Sequence, residues 1–191
     1  TLRRAIEHQQ AGRGAQAEAL CREILGRDPN CVAAVHLLGV IAFQFARHAE
    51  AAEWLRRAKV LAPSDPAIHI NLGAVYRSLG RIDESVACFE QALVLNPGDP
   101  SALSNLGNVL AIKGRLDEAF ACLQQAIALQ PDNANAHNNL GNLFTNRCQF
   151  EEAAASDAAF AAVQVRGQQA MGVDQYTSTH LFDALPDGGR I

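Results

Sequence analysis

The sequence predicts an all-α protein, a solenoid of antiparallel helix pairs stacked with a period of 34 residues. Three observations carry that prediction. Pro29, Pro63, Pro97 and Pro131 stand 34 residues apart. The pairs Leu38-Gly39, Leu72-Gly73, Leu106-Gly107 and Leu140-Gly141 keep the same spacing, and so do the small residues Ala51, Ser85, Ala119 and Ala153. A fixed period of this length marks supersecondary units that bury their apolar faces only against one another. Function is then to be sought on the face each repeat exposes rather than in one enclosed pocket.

With position 1 at Val32, Pro66, Pro100 and Ala134, the elements follow in order. Positions 4, 7, 8 and 11 make one stripe of the first helix of each pair. The glycine at 8 faces the small residue at 20, which lets the two helices approach closely. Bulky residues at 17, 24 and 30 (Ile82, Phe89 and Leu95 in the second repeat) fill the space between repeats. The proline at 32 ends the second helix, because it has no backbone N–H to donate. Asp65-Pro66 and Asp99-Pro100 restart the chain as N-cap and first helical residue. The predicted division is a partial or divergent repeat over 1–31, repeats over 32–65, 66–99 and 100–133, and a degenerate, capping repeat over 134–167. Asp157 and Phe160 break the pattern in that last repeat. Residues 168–191, with Pro186 and Gly188-Gly189, read as an irregular C-terminal tail or the start of a further domain. Nine or ten helices of three to four turns are expected, roughly the usual length.

Composition narrows the function. The chain has 191 residues, 49% of them hydrophobic, enough for a continuous core. A net charge of -4 argues against nucleic acid and anionic membrane as partners. Only Lys59 and Lys113 among the 16 basic residues are lysines, which reads as a GC-rich, bacterial source. Cys21, Cys31, Cys88, Cys122 and Cys148 are odd in number and lack CxxC spacing, so buried free thiols in a reducing, cytoplasmic setting are expected, with no metal site. No cofactor motif, phosphate-cradling glycine loop or nucleophile elbow is present. No apolar run reaches transmembrane length. The chain starts at Thr1 without Met, so the native N-terminus is expected to be missing.

The period, Leu-Gly at 7–8, Ala at 20 and 27, and Pro at 32 together resemble the tetratricopeptide repeat (TPR) family over residues 1–165. The stretch from Asn105 to Asn142 is most similar to the superhelical repeats of bacterial scaffolds and of O-linked N-acetylglucosamine transferases. The resemblance implies a right-handed superhelix whose concave groove is lined by positions 2, 5, 6, 9, 12 and 13 of each first helix. It also implies a protein or peptide ligand. The family's clamp for acidic chaperone tails needs Lys or Arg near positions 2, 5 and 6, and these are absent here.

On that stripe the expected groove residues are His36, Val40, Phe43, Ile70, Asn71, Arg77, Asn105, Asn108, Asn135, Asn138, Asn139 and Asn142. The N-terminal end is apolar and the C-terminal end is rich in amides. A row of carboxamides, each with donors and an acceptor, suits the main chain of an extended peptide. The competing structural reading has the recurrent asparagines capping turns or bonding between repeats. His69 and His137, on the packing face, read as packed side chains, and Arg81 and Arg115 as solvated turn residues. The acidic pairs Asp83-Glu84 and Asp117-Glu118 suit the positive end of the helix dipole. No catalytic set is completed, so the leading function is a non-enzymatic interaction module. The alternatives are the recognition part of a larger enzyme (a glycosyltransferase, sulfotransferase or methyltransferase) and a scaffold that self-assembles through the solenoid end or the tail.

Overall fold

The computed structural model describes residues 1–146. Ala153, Asp157, Phe160, the second helix of the last repeat and the tail 168–191 lie outside the described residues. Within them there are nine α-helices and no strand. They are α1 (Leu2–Gln10), α2 (Gly14–Arg27), α3 (Val32–Gln44), α4 (His48–Leu61), α5 (Pro66–Ser78), α6 (Ile82–Leu95), α7 (Pro100–Ile112), α8 (Leu116–Leu129) and α9 (Ala134–Asn146). The first helices begin at Val32, Pro66, Pro100 and Ala134, one period apart.

Consecutive helices pack as pairs, and the pairs stack. Each odd-numbered helix from α1 to α7 also touches the next odd one, whereas the backbones of the even-numbered helices do not approach one another. A stack with one row close and the other spread bends toward the close row. The odd helices therefore line the inner side.

The pairs close through one recurrent turn. Gly12, Gly80 and Gly114 take φ values of 70°, 72° and 76°, and Ala46, at the same place in its repeat, takes 57°. This left-handed conformation is routine for glycine and strained for alanine. The aspartate caps form as expected. Asp65 accepts from the Ala67 amide at 2.9 Å and Asp99 from the Ala102 amide at 2.8 Å. Asn133 caps α9 in the same way, accepting from the Ala136 amide at 3.0 Å.

The glycine at position 8 has a partner the sequence reading did not single out. A Cβ at Gly39, Gly73 or Gly107 would stand 2.6, 2.8 or 2.7 Å from Leu55, Phe89 or Leu123, the bulky residue at position 24 of the same repeat. That side chain lies over the glycine within its own pair as well as filling the core. The small residue at 20 does meet the first helix: Ser85 Oγ donates to the Gly73 carbonyl at 2.7 Å, fully buried. His69 and His137 also do more than pack. Each sets its Nε2 on a proline carbonyl of the preceding loop, His69 on Pro63 at 2.7 Å and His137 on Pro131 at 3.0 Å. Cys21, Cys31, Cys88 and Cys122 are free thiols, Cys21 and Cys88 buried. Burial pushes the Cys21 thiol up to about 11. No described helix is long and apolar enough to cross a membrane.

Candidate functional site

The inner row carries every residue expected in the groove, and their side chains are half-buried or exposed. Its N-terminal section, on α3 and α5, is apolar and partly engaged by the core. Phe43 packs against the cluster around Leu55 and Leu72, and its ring meets that of His48 with centroids 5.5 Å apart. Ile70 packs against the cluster around Phe89 and Leu106. Val40 is half-buried on α3.

The amides are tied together rather than standing apart. Arg77 Nη1 donates to Asn108 Oδ1 at 3.1 Å, and Asn108 Nδ2 donates to Asn139 Oδ1 at 3.0 Å. Asn139 Nδ2 in turn donates to the Ser104 carbonyl at 3.3 Å and to its hydroxyl at 3.2 Å. One directed chain thus runs from α5 across α7 to α9 and back to α7. On the apolar side, Asn71 Nδ2 lies 2.7 Å from His36 Nε2. Burial pushes the His36 imidazole below its ordinary range, against the opposing pull of the Asp65 carboxylate. The depressed basicity favours a ring whose Nε2 accepts from Asn71.

A rule for the recurrent asparagine emerges. Asn71 and Asn139, both at position 6, each bond a residue 35 places earlier, at position 5 of the preceding repeat. Those residues are His36 and Ser104, both polar. For Asn105 the residue 35 places earlier is Ile70, which has no polar atom on its side chain. The Asn105 side chain accordingly has no hydrogen-bond partner among the described residues. Asn135, Asn138 and Asn142 on α9 are exposed. The asparagine row therefore has two parts: Asn71, Asn108 and Asn139 bond between repeats, and Asn105, Asn135, Asn138 and Asn142 keep their amides uncommitted among the described residues.

The arginine at the inter-helix turn is not simply solvated. Arg81 pairs with Glu84 at 2.7 Å and Arg115 with Glu118 at 2.6 Å, each three residues on. Arg47 pairs with Glu50 at 3.0 Å and reaches back to Glu18 of the preceding pair at 2.9 Å. The Arg47 hydrogen bond leads the causes that hold the Glu18 carboxyl below its usual range. Lys113 likewise bridges to Asp83 of the preceding pair. These ion pairs sit at the turns and the starts of the second helices, and two of them link neighbouring pairs. Among the described residues no cluster of His, Cys, Asp and Glu is placed to hold a metal ion.

A helical-pair stack with a 34-residue period, Leu-Gly at its centre and a capped turn between pairs defines a class, and the sequence comparisons agree with it. The profile described as "Tetratricopeptide repeat" matches residues 2–66, and the one described as "TPR repeat" matches 75–113 and 107–146. The chain belongs to the tetratricopeptide repeat proteins, helical scaffolds that serve as protein-interaction modules. Among solved structures it is similar to MamA from Desulfovibrio magneticus RS-1, with a TM-score of 0.74 at 18% identity over 86% of this chain and 92% of that one. It is also similar to TTC0263, a thermophilic TPR protein in Thermus thermophilus, with a TM-score of 0.72 at 22% identity over 90% and 97% of the two chains. YrrB, described as a TPR protein with an unusual peptide-binding site, aligns with a TM-score of 0.67 at 21% identity over 88% and 87%. A search of curated proteins finds no match. At these identities the likeness is one of fold.

Proposed function

We infer that the chain holds an extended peptide, or an extended segment of a partner protein, along its inner row. The observation that carries this reading is the set of carboxamides at Asn105, Asn135, Asn138 and Asn142, whose donors and acceptors no described residue claims. A peptide main chain offers one N–H and one C=O per residue, and a row of amides matches both. Asparagine is a poor mid-helix residue, so amides retained there without an internal bond are consistent with an external one. The inter-repeat bonds of Asn108 and Asn139 fix the spacing of the row. The half-buried apolar stretch of Val40, Phe43 and Ile70 is suited to an apolar side chain of the same ligand. YrrB, similar in fold, adds the precedent of a peptide-binding site on such a stack.

The test is a selection of unstructured peptides against the whole chain from a display library, followed by affinity measurements on variants. Asn105→Ala and Asn142→Ala are expected to weaken the selected peptides, while Val60→Asp and Val94→Asp on the outer helices leave affinity unchanged. Peptides that respond to the outer substitutions and ignore the asparagines would overturn the assignment.

A further inference from the structure

The outer side of the junction between α4, α5 and α6 carries an open cleft of about 500 Å³, within the usual range for small-molecule sites. Its polar lining is Lys59, His69, Tyr76, Glu84, Cys88 and Gln91. The internal repeat supplies a comparison for each of these residues. One period on, Glu84, Cys88 and Gln91 correspond to Glu118, Cys122 and Gln125, the same three residue types. Lys59, His69 and Tyr76 correspond instead to Leu93, Leu103 and Leu110. Leu103 and Leu110 are buried core residues there, and Leu93 packs against them. One period back, the same three positions hold Leu25, Val35 and Ala42. Of these three junctions, one alone replaces three apolar side chains by a cation, an imidazole and a phenol, and all three line the same cleft.

Two periods on, the three positions hold Ile127, His137 and Phe144, so the imidazole recurs with the same bond to a proline carbonyl. Only His69 of the two is fully buried and stands with a cation and a phenol. His69 is 1% exposed, and its Nε2 stands 2.7 Å from the Pro63 carbonyl. A carbonyl only accepts, so Nε2 carries the hydrogen, and the tautomer with its hydrogen there offers Nδ1 as an acceptor. That Nδ1 is buried without a partner. A buried acceptor left unpaired is unfavourable, and a leucine, as used one period on, would present none. In the cleft's lining the Lys59 ammonium has no carboxylate within ion-pair distance among the described residues, because Glu84, the acid in the lining, is held by Arg81. Lys59 lies near enough to Cys88 to work against the upward push of burial on that thiol. The Arg81 guanidinium sits 4.5 Å over the Tyr76 ring and adds positive charge on the same side. The lining thus brings together a cation suited to an anion and an imidazole whose buried Nδ1 is suited to a donor.

We propose that this cleft binds a small organic carboxylate bearing an O–H or N–H donor, either free or as the C-terminal residue of a peptide. The carboxylate meets Lys59 and the donor meets Nδ1 of His69. The site lies on the opposite side of the stack from the inner row and does not depend on the peptide reading given above.

Titration of the whole chain with lactate, N-acetylglycine and acetate, followed by NMR shift changes, tests it. Lactate and N-acetylglycine are expected to saturate. Acetate, which carries the charge without the donor, is expected to bind at least about tenfold more weakly, as a site with an unanswered buried acceptor requires. Lys59→Leu, His69→Leu and Tyr76→Leu together recreate the next junction, so a folded core is expected with binding of all three acids lost. His69→Leu alone should bring lactate down to the affinity of acetate, and it keeps the proposal testable should the triple variant fail to fold. A dipeptide with a free C-terminus, compared with its amide, separates the sources: tighter binding of the acid than of lactate assigns the site to a peptide end, and binding of lactate alone assigns it to a free acid. Lack of saturation by any probe, equal affinity for lactate and acetate, or unchanged binding in the leucine variants would overturn the proposal.

Discussion

The Ser85 hydroxyl donates to the carbonyl of Gly73 at 2.7 Å, so position 20 of one helix touches the backbone of its partner at position 8. Contact this close leaves no space for a side chain at 73, where a Cβ would come within 2.8 Å of the Phe89 ring. Gly73→Leu and Gly107→Leu are each expected to destabilise by about 1–3 kcal/mol, the usual effect of overpacking. Chemical denaturation checks this. If both variants unfold at the wild-type midpoint, the register is wrong.

Ala46 holds a φ of 57° at the turn where Gly12, Gly80 and Gly114 hold theirs. Ala46→Gly should therefore relieve strain of about 1 kcal/mol. Gly80→Ala should lose a similar amount, about 1 kcal/mol, through backbone strain alone. Nothing lies within 4 Å of a Cβ built at Gly80, so sterics cannot contribute. Opposite signs for the two substitutions in thermal melts support the reading; equal signs refute it.

The period, the helix pairs and the aspartate caps are legible in the sequence because each rests on chemistry confined to one repeat. Proline ends a helix and aspartate caps one wherever they occur. The fate of an asparagine is different. Whether Asn71, Asn105 or Asn139 bonds between repeats depends on His36, Ile70 or Ser104, one period and one residue away. That relation becomes visible only when neighbouring repeats are laid side by side. The turn arginines were within reach: Arg47, Arg81 and Arg115 each precede a glutamate by three residues, a spacing suited to an ion pair at a helix start.

Stability should depend on pH through His36. Burial depresses its basicity in the folded chain, so the unfolded chain binds the proton more readily. The contribution is then complete above the ordinary imidazole pKa of ~6.5 and is lost as pH falls from there through the folded value. The depressed carboxyls of Glu18, Asp83, Glu84 and Glu118 act in the same direction, in a window that opens near their own ordinary values. Comparing wild type with His36→Gln between about pH 5 and 7 isolates the imidazole from these carboxyls. The variant should show the shallower dependence, and identical slopes would remove His36 from the account.

The inner row yields the prediction that separates its two roles. Asn139→Ala breaks a link between Asn108 and Ser104 and should lower stability by about 1–2 kcal/mol, as well as weakening a bound peptide. Asn105→Ala breaks no hydrogen bond among the described residues, so it should leave the melting curve in place and weaken the same peptide. Ile70→Ser offers Asn105 the partner that Ser104 gives Asn139. It should withdraw that amide from the ligand, while the lost packing of Ile70 against the cluster around Phe89 and Leu106 offsets the new hydrogen bond in the melting curve. Arg77, the one charged side chain among the expected groove residues, is turned to the neutral Asn108, so peptide affinity should change little between low and moderate salt. Calorimetry with one selected peptide, alongside melts of all three variants, measures both effects together. An Asn105→Ala variant that binds as tightly as wild type, or an affinity that collapses with salt, would leave the asparagines with a purely structural role.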